Sequence, residues 1–95
     1  MTKQKSVLDN EEVQRTARQR IDKLIRSHKT LRKEVAEAIN MLEQVFSDKM
    51  TGRRNFTLKD LVALADYFNV SIDYLTGRID TLWPDPWANK KEETK

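Results

Sequence analysis

Cysteine is absent from the 95-residue chain, which excludes a disulfide framework and thiolate metal sites and leaves the fold to stand on its core. Proline occurs only at Pro84 and Pro86, so nothing before position 84 is barred from a helix. Glycine is as scarce, at Gly52 and Gly77, and no glycine-rich loop is available to cradle a phosphate. The unbroken apolar stretches, such as Leu61 to Ala65, fall far short of the roughly 20 residues that a membrane span needs. Met1 to Leu8 is polar and lacks the apolar region of a secretory signal, so a soluble, cytoplasmic protein is expected. His28 is the lone histidine and reads as a helix-end residue. With no ligand cluster and no Ser/His/Asp set, neither a metal, a cofactor nor an enzyme is expected.

What the chain does contain is helical spacing in five stretches, each preceded by a residue able to cap it. Asp9 with Glu12 opens the first, whose apolar stripe is Val13, Ala17, Ile21, Leu24 and Ile25. Thr30 opens a short second helix carrying Val35, Ala36 and Ile39. Asn40 either ends it or, with Glu43, caps the next. The third helix carries Met41 or Leu42, then Val45, Phe46 and Met50, and stops at Gly52. Thr57 with Asp60 opens a fourth, Leu58 to about Phe68, so apolar that it is expected to lie inside the domain. Ser71 opens a last short helix ending at Gly77. These elements define an all-α, five-helix domain over 9–80, with a flexible N-terminus at 1–8 and a proline-broken, charged tail at 81–95.

Charge is unevenly placed. The formal net charge is only +3, but residues 1–29 hold eight basic and four acidic side chains, whereas residues 55–80 hold two and four. Lys49, Arg53 and Arg54 bracket Gly52, a polarity that suits a phosphate-facing surface as well as a plain solvated face.

The stretch 30–52 has the spacing of a helix-turn-helix, and from Arg20 through Gly77 the chain resembles the lambda-repressor-like family, also called Cro or XRE. Val35-Ala36 matches the family's Leu-Ala pair, Asn40 falls on its turn glycine, Phe46 on the buried aliphatic of the recognition helix, and Gly52-Arg53-Arg54 on the closing Gly-Lys-Arg. The run from Leu61 to Gly77 resembles the family's last two helices at nearly every position. Four positions depart from the pattern: Lys49 stands where the family is usually apolar, Asn40 replaces the turn glycine, Leu42 stands where a small hydroxyl residue is frequent, and Phe56 where proline is frequent.

The resemblance implies a sequence-specific DNA-binding regulator of phage or mobile-element type, associated with the nucleoid. It would be Cro-like in lacking an effector or cleavage domain, and would bind an inverted-repeat operator in double-stranded DNA as a homodimer. Glu43, Gln44, Ser47 and Asp48 occupy the base-contact positions, and Arg32, Lys33, Lys49, Arg53 and Arg54 are read as phosphate contacts. Trp83 and Trp87 are costly to expose and are expected to pack on the domain itself, on a dimer mate or on another protein. Two other functions share the fold: an antitoxin, and a protein-interaction module in which Glu43 and Asp48 face a basic partner.

Overall fold

In the computed structural model residues 9–79 are described, and they form α1 (Asn10–Ser27), α2 (Arg32–Ala38), α3 (Glu43–Thr51), α4 (Leu58–Phe68) and α5 (Ile72–Thr76), with no strand among them. The N-terminal residues 1–8 and the tail 81–95, with Trp83 and Trp87, lie outside the described residues.

Three helices start as their capping residues dictate. Asp9 accepts from the Glu12 amide at 2.8 Å, and Ser71 accepts from the Tyr74 amide at 3.0 Å. Thr57 and Asp60 exchange bonds, the Asp60 amide to the Thr57 hydroxyl at 3.1 Å and the Thr57 amide to the Asp60 carboxylate at 2.8 Å. The two helices of the central pair start differently. Leu31, not Thr30, occupies the cap position of α2, because Glu34 reaches back to accept from both the Leu31 amide and the Thr30 hydroxyl. Those bonds, with Lys33 nearby, hold the Glu34 carboxyl below its ordinary pKa. Leu42 occupies the cap of α3 and offers its amides no side-chain acceptor.

All five helices end the same way, with a residue in the left-handed region: Lys29, Asn40, Gly52, Asn69 and Gly77. The amides after each turn then bond back to carbonyls the helix leaves free, as in Met41 to Ala36 at 2.8 Å and Thr30 to Ile25 at 3.1 Å. Asn40 therefore closes α2 and does not cap α3. Two of these five sites are glycine and two asparagine, which tolerate positive φ; Lys29, at φ 54°, does so against the preference of its Cβ.

The core gathers Ala17, Ile21, Leu24 and Ile25 from α1 with Val35, Ala36, Phe46, Met50, Phe56, Leu61, Leu64, Ala65, Phe68, Tyr74 and Leu75. Phe46 meets Phe56 edge-on with ring centroids 6.3 Å apart. Ala36 is buried and adds little bulk where α2 packs against α3. The fourth helix is not apolar all round in its setting: Leu58 and Val62 are exposed, and only the face bearing Leu61, Leu64, Ala65 and Phe68 is buried. Arg20 ties α1 to the end of α5, donating to the carbonyls of Tyr74 at 2.7 Å and Ile79 at 2.6 Å while its guanidinium lies 4.5 Å from the Tyr74 ring centre.

Candidate nucleic-acid interface

The α2–turn–α3 unit is anchored from beneath, Val35 and Ala36 of α2 and Phe46 and Met50 of α3 being buried. Helical spacing then sends the other face of α3 outward. Glu43 and Gln44 are exposed, and Ser47 and Asp48 are half-buried beside them. The structure thus brings together the four residues expected at base edges, but it does not present them equally. Asp48 lies at the centre of a local network. One carboxylate oxygen accepts from the Gln44 amide at 3.1 Å and lies 3.9 Å from Arg53, and the other lies 3.4 Å from Nε of Arg54. Its backbone carbonyl also accepts from the Arg53 and Arg54 amides, at 2.9 and 3.2 Å. Arg53 and Arg54 are both well exposed at their outer ends. The acid therefore organises its own surface, setting the side chain of Gln44 and gathering cations just past the end of α3.

The expectation that Lys49 faces phosphate is corrected. Only 8% of Lys49 is exposed, and its ammonium is bonded to the carboxylate of Asp60, which lies on α4. The position is turned toward the core, where the family pattern has an apolar residue. The lysine can occupy it because its stem packs like a hydrocarbon and its charge finds Asp60. Burial alone would push the Asp60 carboxyl up; the Lys49 and Thr57 bonds outweigh it and hold the group below its ordinary value of 3.8.

Arg32 and Lys33 open α2 and are exposed, with Arg32 reaching to 4.0 Å from Asp22 of α1. With Arg53 and Arg54 they place cations at both ends of the helix pair. The α3–α4 connection bearing the second set is not free to wander. Gln14, only 6% exposed, clamps it by donating to the Phe56 carbonyl at 3.0 Å and accepting from the Phe56 amide at 2.7 Å. Beside this clamp, Arg18 lies against Gly52, whose added Cβ would meet the guanidinium at 3.6 Å, in a polar notch also lined by Asn10, Arg15 and Asn55. Gln14 is absent from the residues singled out by sequence. The available signal was its place three, seven and ten residues before Ala17, Ile21 and Leu24, on the stripe that buries α1.

No helix among the described residues is long and apolar enough to cross a membrane, and among them no cluster of His, Asp or Glu is placed to hold a metal ion.

No protein-family model matches the chain. In structure it is similar to a transcriptional regulator from Listeria innocua, with a TM-score of 0.60 and 24% identity over 82% of this chain and 73% of that one. The all-α, five-helix fold expected from the sequence is the fold observed. In sequence the chain is similar to YobD, an uncharacterized HTH-type transcriptional regulator of Bacillus subtilis (strain 168), with 32% identity over 73 residues. The match covers 77% of this chain and 63% of YobD, so the chain spans less than two thirds of that relative's length. Both of these proteins are named as transcriptional regulators, YobD as one of the HTH type.

Proposed function

We propose that the protein is a sequence-specific, DNA-binding transcriptional regulator that inserts α3 into the major groove. The observation that carries this reading is the outward-facing amide of Gln44, held by Asp48, whose carboxylate also meets Arg53 and Arg54. A glutamine side chain has one carbonyl oxygen and two N–H groups, and Asp48 takes one of the latter. The other N–H and the oxygen remain to pair with N7 and the N6 amine of an adenine. Glu43, one position earlier, can accept from a cytosine amine, and Ser47 can bond either kind of edge. Asp48 serves as a positioning residue for Gln44, and its charge is offset by the two arginines.

Arg32, Lys33, Arg53 and Arg54 contact phosphates on either side of the groove and set the register of α3. Two copies related by a two-fold axis read an inverted repeat, and occupation of a promoter by the pair represses transcription in the manner of a small Cro-like phage regulator. Trp83 and Trp87 of the tail are assigned to the contact between copies. Selection from randomised duplex DNA tests this directly. Enrichment of an inverted repeat whose half-sites contain an adenine sensitive to Gln44→Ala is expected. Failure to enrich any sequence refutes it, and an unchanged mass in solution after removal of 81–95 refutes the role given to the tryptophans.

A further inference from the structure

Leu42 is the most exposed of the large apolar side chains among the described residues, at 75%. It also stands at the cap of α3, where Ser, Thr, Asp or Asn would stabilise the helix by about 1 kcal/mol and a leucine contributes no acceptor. The side chain therefore forgoes both burial and capping, and nothing among the described residues repays either loss. A leucine exposed on an arbitrary face needs no explanation. This one sits two residues before Gln44, at the end of the helix that leads into the groove, while its neighbour Met41 turns inward against the core. The apolar feature of a major groove is the C5-methyl group of thymine, which each A·T pair displays beside the hydrogen-bonding edge of its adenine.

We infer that Leu42 is a specificity-determining residue that packs on a thymine methyl next to the base pair read by Gln44, so that in each half-site an apolar contact is added to the hydrogen bonds of α3. This inference rests on the DNA-binding reading above. It separates Leu42 from a helix cap and from a phosphate contact, since neither of those responds to a methyl group on a base.

The test uses the full chain and its selected duplex, with each thymine replaced in turn by deoxyuridine, which removes the methyl and keeps every hydrogen-bonding group. For the wild-type protein, one thymine per half-site should be found whose replacement weakens binding about fourfold, the effect of one buried methyl group. Leu42→Ser should bind the thymine duplex about as weakly as the wild type binds the deoxyuridine duplex, and should lose nothing further on replacement. Serine supplies the missing cap, so the variant should melt no lower than wild type, and its weaker binding is not a failure to fold. Equal affinity of the wild type for all the deoxyuridine duplexes overturns the inference, as does a Leu42→Ser protein that keeps the fourfold loss. If the wild type enriches no duplex at all, the DNA-binding reading falls and the inference falls with it. If it enriches one and the methyl effect is missing, only the inference falls.

Discussion

Replacing Gln14 by leucine removes the clamp that holds the α3–α4 connection while leaving a side chain of similar length and volume. In the wild type the amide makes two bonds to one residue, 2.7 Å from the Phe56 nitrogen and 3.0 Å to its oxygen, and both residues are nearly inaccessible to water. The variant therefore strands a buried N–H and a buried C=O. Each group deprived of its partner costs about 1–3 kcal/mol, and the polar notch beside Gln14 lets water relieve part of that, so the loss is about 2–4 kcal/mol in all. For a domain of this size that corresponds to a fall in Tm on the order of 10–30 °C, read by thermal unfolding in circular dichroism. Gln14→Glu gives a sharper version. Its carboxylate can accept from the Phe56 amide but meets the Phe56 carbonyl as a second acceptor; protonated, it can donate there. Its folded pKa is thus raised above the unfolded value of about 4.3, and the stabilisation is present below that pH and lost as pH rises through the folded value. A Gln14→Leu protein melting within about 2 °C of wild type, in an assay that resolves such a shift, would refute the reasoning.

Gln44→Ala should lose about 1–3 kcal/mol on the preferred duplex alone, whereas Arg53→Ala should weaken all duplexes alike and flatten the dependence of log K on log salt by about 0.9, both by fluorescence anisotropy titration. Asp48→Ala should cut the preference for the selected site while strengthening binding to unrelated DNA, because it frees Gln44 and removes a negative charge; a uniform effect on both duplexes would contradict its positioning role. Lys49→Met should lower stability by about 1–3 kcal/mol and leave the salt dependence of DNA binding unchanged. The Asp60 carboxyl is held below its ordinary 3.8, so its contribution in the wild type is complete above that pH and lost as pH falls through the lowered value. Acid unfolding of the Lys49→Met variant should show a smaller loss over the same window. Lys29→Gly should raise stability by about 0.5–1 kcal/mol in urea unfolding, relief of left-handed strain exceeding the added freedom of the unfolded chain.

Helix limits were legible in the sequence because local chemistry sets them. Asp9, Thr57 and Ser71 bond their own backbone three residues on, and Gly52, Gly77 and Asn40 accept a conformation other residues resist. Thr30 was misleading because Glu34 competes for the same groups and moves the cap to Leu31. Properties that depend on distant partners were harder to read. Lys49 looks like a surface cation until Asp60, eleven residues on, is folded against it. Gln14 looks like a solvated polar residue until Phe56, 42 residues away, supplies a backbone pair for its amide. The apolar run of α4 suggested a helix enclosed on every side, yet the five-helix packing leaves Leu58 and Val62 outside. The positions proposed for base contact were suggested by the resemblance, but the bonds that tie Gln44, Asp48, Arg53 and Arg54 into one network emerge only once α3 ends at Gly52 and turns the arginines back.

That α3 reads DNA sequence is tested most directly by titrating the protein with its selected duplex and with a scrambled duplex of the same composition, at several salt concentrations. Binding at least roughly a thousandfold tighter to the selected duplex at physiological salt is expected. On both duplexes log K should fall with log salt by roughly 3–4 per protomer, the effect of four phosphate contacts. Equal affinity for the two duplexes, or binding indifferent to salt, would contradict it.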